Sequence, residues 1–390
     1  MRTGSNIKVF TLPYSDAAVQ DLRSRLAQTR WPDEIPGSGW EYGVDLEFMR
    51  ELCGYWKDQF DWQAQIQNLS AFHHYLYNTD DTAIHFIHER GKGPSPIPLI
   101  LTHGWPGSFL EMLKIIPLLT DPARHGGDPA VSFNVVVPSL PGFGFSGRPT
   151  KPGMNPFRIA DLWLSLMTEL GYERFAAQGG DFGAAVSTIL GLRHARHVIG
   201  VHLNYIPGSY RPYLEPGNKP DSIEQQFLDD ADRWYADSGA YAHLQRNTPQ
   251  TAAYGLNDSP AALVAWIVEK FRDWADCNGD VERRFSKDEL LTNVTLYWVT
   301  ETIHSSCRLY YESKKMPLQF RKEDHVRVPC AIAHFPKEAP FPPRAWIERG
   351  YSIQHWTEMP RGGHFAAAEE PVLLARDIAA FFGSLSSTAR

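Results

Sequence analysis

Apolar positions recur at helical spacing through the first sixty residues. A short strand-like run at 8–12 comes first, and then Val19, Leu22 and Leu26 follow a Ser15-Asp16 cap, with Trp31-Pro32 ending the helix. Over 45–58, Leu46, Met49, Leu52, Cys53 and Trp56 fall on one stripe. The period changes to two at Ala83-Ile84-His85-Phe86-Ile87-His88, an entering strand followed by a loop over 91–98. Short apolar runs at 98–102, 131–138, 174–178 and 198–203 then read as buried strands. Between them, a helix over 156–170 has Asn155 as cap and Pro156 at its first position; Ile159, Leu162, Trp163, Leu166, Met167 and Leu170 form its core stripe. Strands alternating with helices predict a mostly parallel central sheet with helices on both faces. From 205 to 324 the rhythm stops and the chain turns helical and ring-rich; over 259–275, Ala262, Trp266, Ile267 and Phe271 are expected on one side. Two more strands, 328–334 and 352–357, and a closing helix over 371–382 complete the sheet. The expected division is a wrapping helical segment over 1–95, two core halves over 96–207 and 326–390, and a helical lid over 208–325.

Composition narrows the function classes. A chain of 390 residues with 43% hydrophobic and 21% charged positions buries a large core. A net charge of −7 gives no electrostatic reason to expect nucleic acid or an anionic membrane as partner. Cys53, Cys277, Cys307 and Cys330 lie far apart, with neither zinc-site spacing nor a disulfide framework. The polar start Met1-Arg2-Thr3-Gly4-Ser5-Asn6 is unlike a signal peptide or membrane anchor, and no apolar run approaches the roughly 20 residues of a spanning helix. These features predict a soluble, cytoplasmic protein, and nothing in them calls for a metal or an organic cofactor.

The chemistry concentrates at Gln178-Gly179-Gly180-Asp181-Phe182-Gly183, between the strand at 174–178 and a helix starting near Phe182. Small residues before and after Asp181 leave room for a sharp nucleophile turn, here carrying Asp where the usual elbow carries Ser. A carboxylate is ionised at neutral pH, so it attacks a saturated carbon without a base and forms an ester on the enzyme. A capping Asp in a Gly-rich turn would look the same in isolation. Hydrolysing the ester requires an activated water. His364, in Arg361-Gly362-Gly363-His364-Phe365, lies in a loop before the last helix, where such a base is needed. Glu338, after the strand at 328–334, is the chosen partner acid, with Glu348 and Glu358 as competitors. The order nucleophile, acid, His is that of the α/β-hydrolase fold. The backbone N–H groups of Trp105 and Phe182 are the candidate oxyanion hole. Opening a strained ring also needs a proton donor from the lid, and spacing leaves Tyr210, Tyr213, Tyr235, Tyr241, Tyr254, Tyr297, Tyr310 and Tyr311 open.

The chain resembles epoxide hydrolases of the microsomal type. The likeness rests on Leu26-Ala27-Gln28-Thr29-Arg30-Trp31-Pro32, Gly39-Trp40, Tyr55-Trp56 and Phe60-Asp61-Trp62, similar to that family's N-terminal meander. It continues in His103-Gly104-Trp105-Pro106-Gly107-Ser108, Gly179-Gly180-Asp181, Leu290-Leu291-Thr292-Asn293-Val294, Leu296-Tyr297-Trp298 and Arg361-Gly362-Gly363-His364-Phe365, and so spans nearly the whole chain. The resemblance implies an α/β-hydrolase fold with a lid, a small hydrophobic epoxide and water as partners, no cofactor, and Tyr241 and Tyr310 as donors to the epoxide oxygen. Tyr311 beside Tyr310 leaves a register question, and the acid is a Glu, Glu338. Membrane-bound members carry an N-terminal anchor helix, whereas this sequence starts at the meander. A homodimer is one option for the assembly. The competing readings are a haloalkane dehalogenase, an esterase, which would want Ser at the elbow, and a non-catalytic binder of hydrophobic ligands.

Overall fold

The computed structural model describes residues 6–387, so the stretch 1–5 read above as unlike an anchor lies outside the described residues, as does 388–390. Nine strands form one sheet: β1 (Ile7–Val9), β2 (His74–Asn78), β3 (Ala83–Glu89), β4 (Ile97–Thr102), β5 (Phe133–Pro138), β6 (Phe175–Gly179), β7 (Val198–Leu203), β8 (Val326–His334) and β9 (Tyr351–Glu358). Their order is β1-β2-β3-β5-β4-β6-β7-β8-β9. The first three pairings are antiparallel and the remaining five parallel. Leu99, Ile100, Val135, Val136, Val137, Ala176, Ala177, Val201 and Ile332 are fully buried in the parallel part, as a sheet covered on both faces requires.

The helices are α1 (Asp16–Ala27), α2 (Leu46–Asp58), α3 (Trp62–Leu69), α4 (Ile116–Thr120), α5 (Pro156–Glu169), α6 (Asp181–Arg193), α7 (Ser222–Ser238), α8 (Ala240–Asn247), α9 (Pro249–Leu256), α10 (Pro260–Trp274), α11 (Lys287–Thr300), α12 (Ile303–Ser313), α13 (Arg344–Glu348), α14 (Ala366–Glu369) and α15 (Pro371–Ser387). Side-chain caps fix several starts where the sequence places them. Ser15 accepts from Ala18 N–H, Asp45 from Phe48 N–H, and Asn155 from Phe157 and Arg158 N–H. Helices α7 to α12 lie between β7 and β8, over the stretch expected as a lid. No helix among the described residues is long and apolar enough to cross a membrane.

Two sequence expectations need correction. The run at 8–12 pairs as a strand only over Ile7–Val9. On α10 the buried residues include Leu263, Val264, Ile267, Val268, Phe271 and Trp274, whereas Ala262 and Trp266 are only half-buried. That helix packs against α1, α2, α9 and α11 at once, so burial spreads beyond a single stripe. The stretch Phe72-His73-His74-Tyr75, which shows no alternation, leads into β2. His74 on β2 and His85 on β3 replace apolar packing with a buried hydrogen-bond chain. His74 Nε2 meets the Leu69 carbonyl at 2.9 Å, His74 Nδ1 meets His85 Nε2 at 2.9 Å, and His85 Nδ1 meets Ser139 Oγ at 2.8 Å. Burial pushes both imidazoles below their ordinary pKa, so both are neutral. The carbonyl needs a donor, which sets one tautomer throughout: His74 donates to Leu69, His85 to His74, and Ser139 to His85.

Candidate active site

The site lies at the carboxyl ends of β4, β6, β8 and β9, where loops of an open parallel sheet converge. After β6 the chain turns directly into α6, and Asp181 takes a left-handed φ of 45°. Such a conformation costs a non-Gly residue about 1–3 kcal/mol and persists only where the surroundings enforce it. They do so by close packing. A Cβ on Gly183 would come within 1.9 Å of the Thr102 carbonyl oxygen at the end of β4, and one on Gly179 within 2.3 Å of the Gly183 carbonyl. Gly179 and Gly183 are therefore required by backbone meeting backbone, whereas Gly180 faces the Asn204 side chain.

The loop after β4 reaches the same point. Gly104 has no room for a side chain, since its Cβ would stand 2.3 Å from the Asp181 carboxylate. Trp105 N–H donates to Asp181 Oδ1 at 2.8 Å, and Phe182 N–H also donates to that carboxylate. Helix α11 holds the loop. Asn293 Nδ2 donates to the Pro106 carbonyl at 2.9 Å, Ser108 Oγ donates to Asn293 Oδ1 at 2.8 Å, and Tyr297 O–H donates to the Gly107 carbonyl at 2.7 Å.

His364 and Glu338 complete the group. Glu338 is fully buried, and its Oε1 accepts from His364 Nδ1 at 2.7 Å and from Ala339 N–H at 2.8 Å. The other imidazole nitrogen, Nε2, faces Asp181 Oδ2 at 3.7 Å, beyond hydrogen-bond range. Burial works against a charged imidazole here, but Glu338 and then Asp181 outweigh it and raise the His364 pKa to about 9. Burial raises the Asp181 pKa, opposed by His364 and the two backbone N–H groups. The competing acids are occupied elsewhere: Glu358 accepts from His334 and Trp356, and Glu348 from Arg344.

Of the lid phenols, Tyr241 on α8 and Tyr310 on α12 come to Asp181 and hydrogen-bond each other. The Tyr241 ring stacks on Trp105 at 5.3 Å and 5°, and the Phe182 ring meets Tyr310 edge-on at 4.8 Å. Burial, and then the Asp181 charge among other groups, keeps both phenols protonated far above neutral pH. The Tyr311 ring lies instead under Lys314 and Lys315. Tyr210 donates to the Trp346 carbonyl, Tyr213 to Glu215, and Tyr254 is exposed.

A cavity of about 360 Å³ holds Asp181, Phe182, Tyr205, Tyr235, Tyr241 and Tyr310 in its wall. Larger hollows of about 870 and 800 Å³ lie between the N-terminal segment and α10, and beside Glu338 and Trp274; neither contains Asp181. Sequence reasoning missed several neighbours. Trp274 packs edge-on against His364 at 5.1 Å, and Tyr205 does so at 5.8 Å. Glu111 fills the space left by Gly107, whose Cβ would stand 1.5 Å from the carboxyl oxygen, and accepts from Gly104 N–H; burial pushes its pKa up to about 8. Gly107, four positions before Glu111, was the available signal. Among the described residues no group of three or more His, Cys, Asp or Glu is arranged to hold a metal.

The whole arrangement suits nucleophilic substitution by a carboxylate followed by hydrolysis of an ester. Comparison with known proteins gives the family. Residues 7–112 match the family model described as epoxide hydrolase N terminus, and residues 97–297 that of the alpha/beta hydrolase fold. Epoxide hydrolase 1 of Oryctolagus cuniculus is 37% identical over 97% of this chain and 89% of its own length. The crystal structure of the juvenile hormone epoxide hydrolase from the silkworm Bombyx mori is similar with a TM-score of 0.85 at 29% identity, covering 98% of this chain and 95% of that one. The structure of Aspergillus niger epoxide hydrolase is similar with a TM-score of 0.85 at 29% identity, covering 97% and 96%.

Proposed function

Because the chain belongs to the epoxide hydrolase family of the α/β-hydrolase fold and adds water to epoxides, we propose that it does so through an ester on Asp181. The observation that carries this reading is the unequal setting of the two Asp181 oxygens. Oδ1 accepts the Trp105 N–H, while Oδ2 faces His364 without a hydrogen bond to it. Oδ2 attacks an epoxide carbon, the carbon–oxygen bond breaks, and the departing oxygen takes a proton from the Tyr241–Tyr310 pair. Leaving as an alcohol instead of an alkoxide is what makes the ring opening feasible, a contribution typically on the order of 10²- to 10⁴-fold. The ester carbonyl oxygen is then Oδ1, already in the oxyanion hole.

In the second half, His364 takes a proton from water, and the hydroxide attacks Cγ of Asp181. Negative charge gathers on Oδ1, where Trp105 and Phe182 N–H groups receive it. The tetrahedral intermediate collapses, the diol leaves with the proton held by His364, Asp181 gives up the proton on its new oxygen to solvent and is a carboxylate again, and the phenols recover theirs from solvent. Glu338 holds the imidazole with Nε2 turned to the reacting carbon and stabilises its charged form. Epoxide and water balance to a vicinal diol. The Phe182 side chain has no N–H to offer a halide, which disfavours dehalogenation.

Two variants test the assignment in rapid-mixing experiments with styrene oxide. His364→Gln forms the ester at near the parent rate and stalls, giving a stable mass increase on the peptide holding Asp181. Tyr310→Phe slows ester formation by about 10²-fold. A His364→Gln enzyme with parental steady-state turnover removes His364 from the mechanism.

A further inference from the structure

The cavity that holds Asp181 carries an excess of positive charge that the reaction does not use. Arg246 on α8 lies in its wall, half-buried, with Tyr235 as its neighbour: Nη2 donates to the Tyr235 hydroxyl at 3.2 Å and the guanidinium lies 5.3 Å from that ring. No carboxylate lies within ion-pair distance of it among the described residues. Arg211 and Lys314 also line the cavity, and they too lack an acidic partner there. Arg211 donates to the Gly208 and Tyr210 carbonyls, and Lys314 to Asn247 Oδ1. Against these three cations the wall holds only Asp181, which faces His364, and the exposed Asp232.

A half-buried guanidinium with only a neutral phenol as partner has lost hydration without gaining a counter-charge. Elsewhere the protein does pair such groups: Arg284 reaches Asp276 and Glu370, and Arg349 reaches Glu224. An anion entering the cavity would supply what Arg246 lacks. A planar guanidinium fork fits a carboxylate through two parallel hydrogen bonds. Arg246 follows Tyr241 by five residues on the same helix, on the order of 7.5 Å of helix rise, so an extended molecule spans both groups.

We propose that the preferred substrates are epoxides bearing a carboxylate at the far end of a short chain, with Arg246 receiving the carboxylate while the ring sits between Asp181 and the two phenols. Arg246 is then a specificity-determining residue. The inference rests on the epoxide-hydrolase reading of the same cavity.

The test is a set of ω-epoxyalkanoic acids of graded chain length, each with its methyl ester, with styrene oxide as an uncharged control. At the length that spans the two groups, kcat/KM for the acid exceeds that for the ester by about tenfold or more, the scale of one charge-assisted hydrogen bond. Arg246→Met brings the acid-to-ester ratio close to one, and Arg246→Lys keeps part of the preference. The wild-type enzyme gives a second reading that needs no variant: rising salt lowers kcat/KM for the acid and leaves the ester unaffected. An ester preferred at every length overturns the inference. So does an acid preference that Arg246→Met leaves intact, or a loss in that variant shared equally by acid and ester. Turnover of styrene oxide separates these failures from failure of the underlying reading, which would abolish it.

Discussion

Asp181 and His364 face each other as opposite charges in a largely water-excluded space, so the protonation of each depends on the other. In the free enzyme Glu338 and Asp181 together hold the imidazole proton up to about pH 9. A protonated imidazole is no base, and the first chemical step changes that. Alkylation turns Asp181 into a neutral ester, removes one of the two anions, and lowers the His364 pKa when a base is needed. Accordingly, the rate of ester hydrolysis in single-turnover experiments rises with pH, with an apparent pKa below the value found by NMR titration of His364 in the free enzyme. Equal values would show that Asp181 does not carry the ester. At this scale the sequence was informative where a motif surrounds the residue. Asp181, His364 and the Trp105 and Phe182 N–H groups lie in such motifs, and Glu338 follows a strand end. Tyr241 and Tyr310 were out of reach of spacing, because eight phenols share similar surroundings and only the fold brings these two to Asp181 and to each other. Arg246 was missed because only the fold places it in the cavity wall, and Glu111 because its one signal, Gly107, is shared with a tight turn.

The elbow shows how an element imposes a conformation its central residue would not choose. Asp181 stays left-handed because β4 and α6 touch through glycines, and the contact that allows least movement is at Gly183, whose Cβ would meet main-chain oxygen 1.9 Å away. Gly183→Ala is therefore expected to destabilise the fold by at least ~2 kcal/mol, as overpacking against rigid backbone does. Gly180→Ala, facing the Asn204 side chain, should cost less. Thermal unfolding of the two variants checks the order, and a Gly183→Ala protein as stable as the parent would contradict the packing argument. Capped helices and alternating or fully apolar strands were legible because each carries its own local signal. The short α3 and strand β2 were not, since β2 pairs through a histidine chain whose partners, Leu69, His85 and Ser139, come from other parts of the molecule.

Across the whole molecule, distant segments meet on the loop that faces Asp181. Trp56 on α2 donates to Thr295 Oγ1 on α11 at 2.9 Å, and Tyr55 donates to Asp288 at 2.8 Å. The same helix α11 grips the Pro106 and Gly107 carbonyls, so α2 supports the loop after β4 through α11. Under the sheet, α15 is fastened by Asp377, which accepts from His202 and His355 at 2.8 Å each and from Thr357. Burial would raise the Asp377 pKa, but hydrogen bonding and charge from His202 reverse this and hold it well below the ordinary carboxylate range. A carboxylate depressed in the folded state contributes stability that is complete above its unfolded pKa, about 4, and is lost as pH falls toward the folded value. Asp377→Asn should thus lose about 3 kcal/mol at neutral pH and show a shallower loss of stability below pH 4; denaturant titrations at several pH values measure both, and an unchanged acid slope would exclude Asp377 as its source. The central claim, an ester on Asp181, is tested most directly by one turnover of styrene oxide with excess enzyme in oxygen-18 water, followed by mass spectrometry of the diol and of the Asp181 peptide. Unlabelled diol with label in the Asp181 carboxylate is the result the ester route requires. Labelled diol with no label on Asp181 would mean that water attacks the epoxide directly.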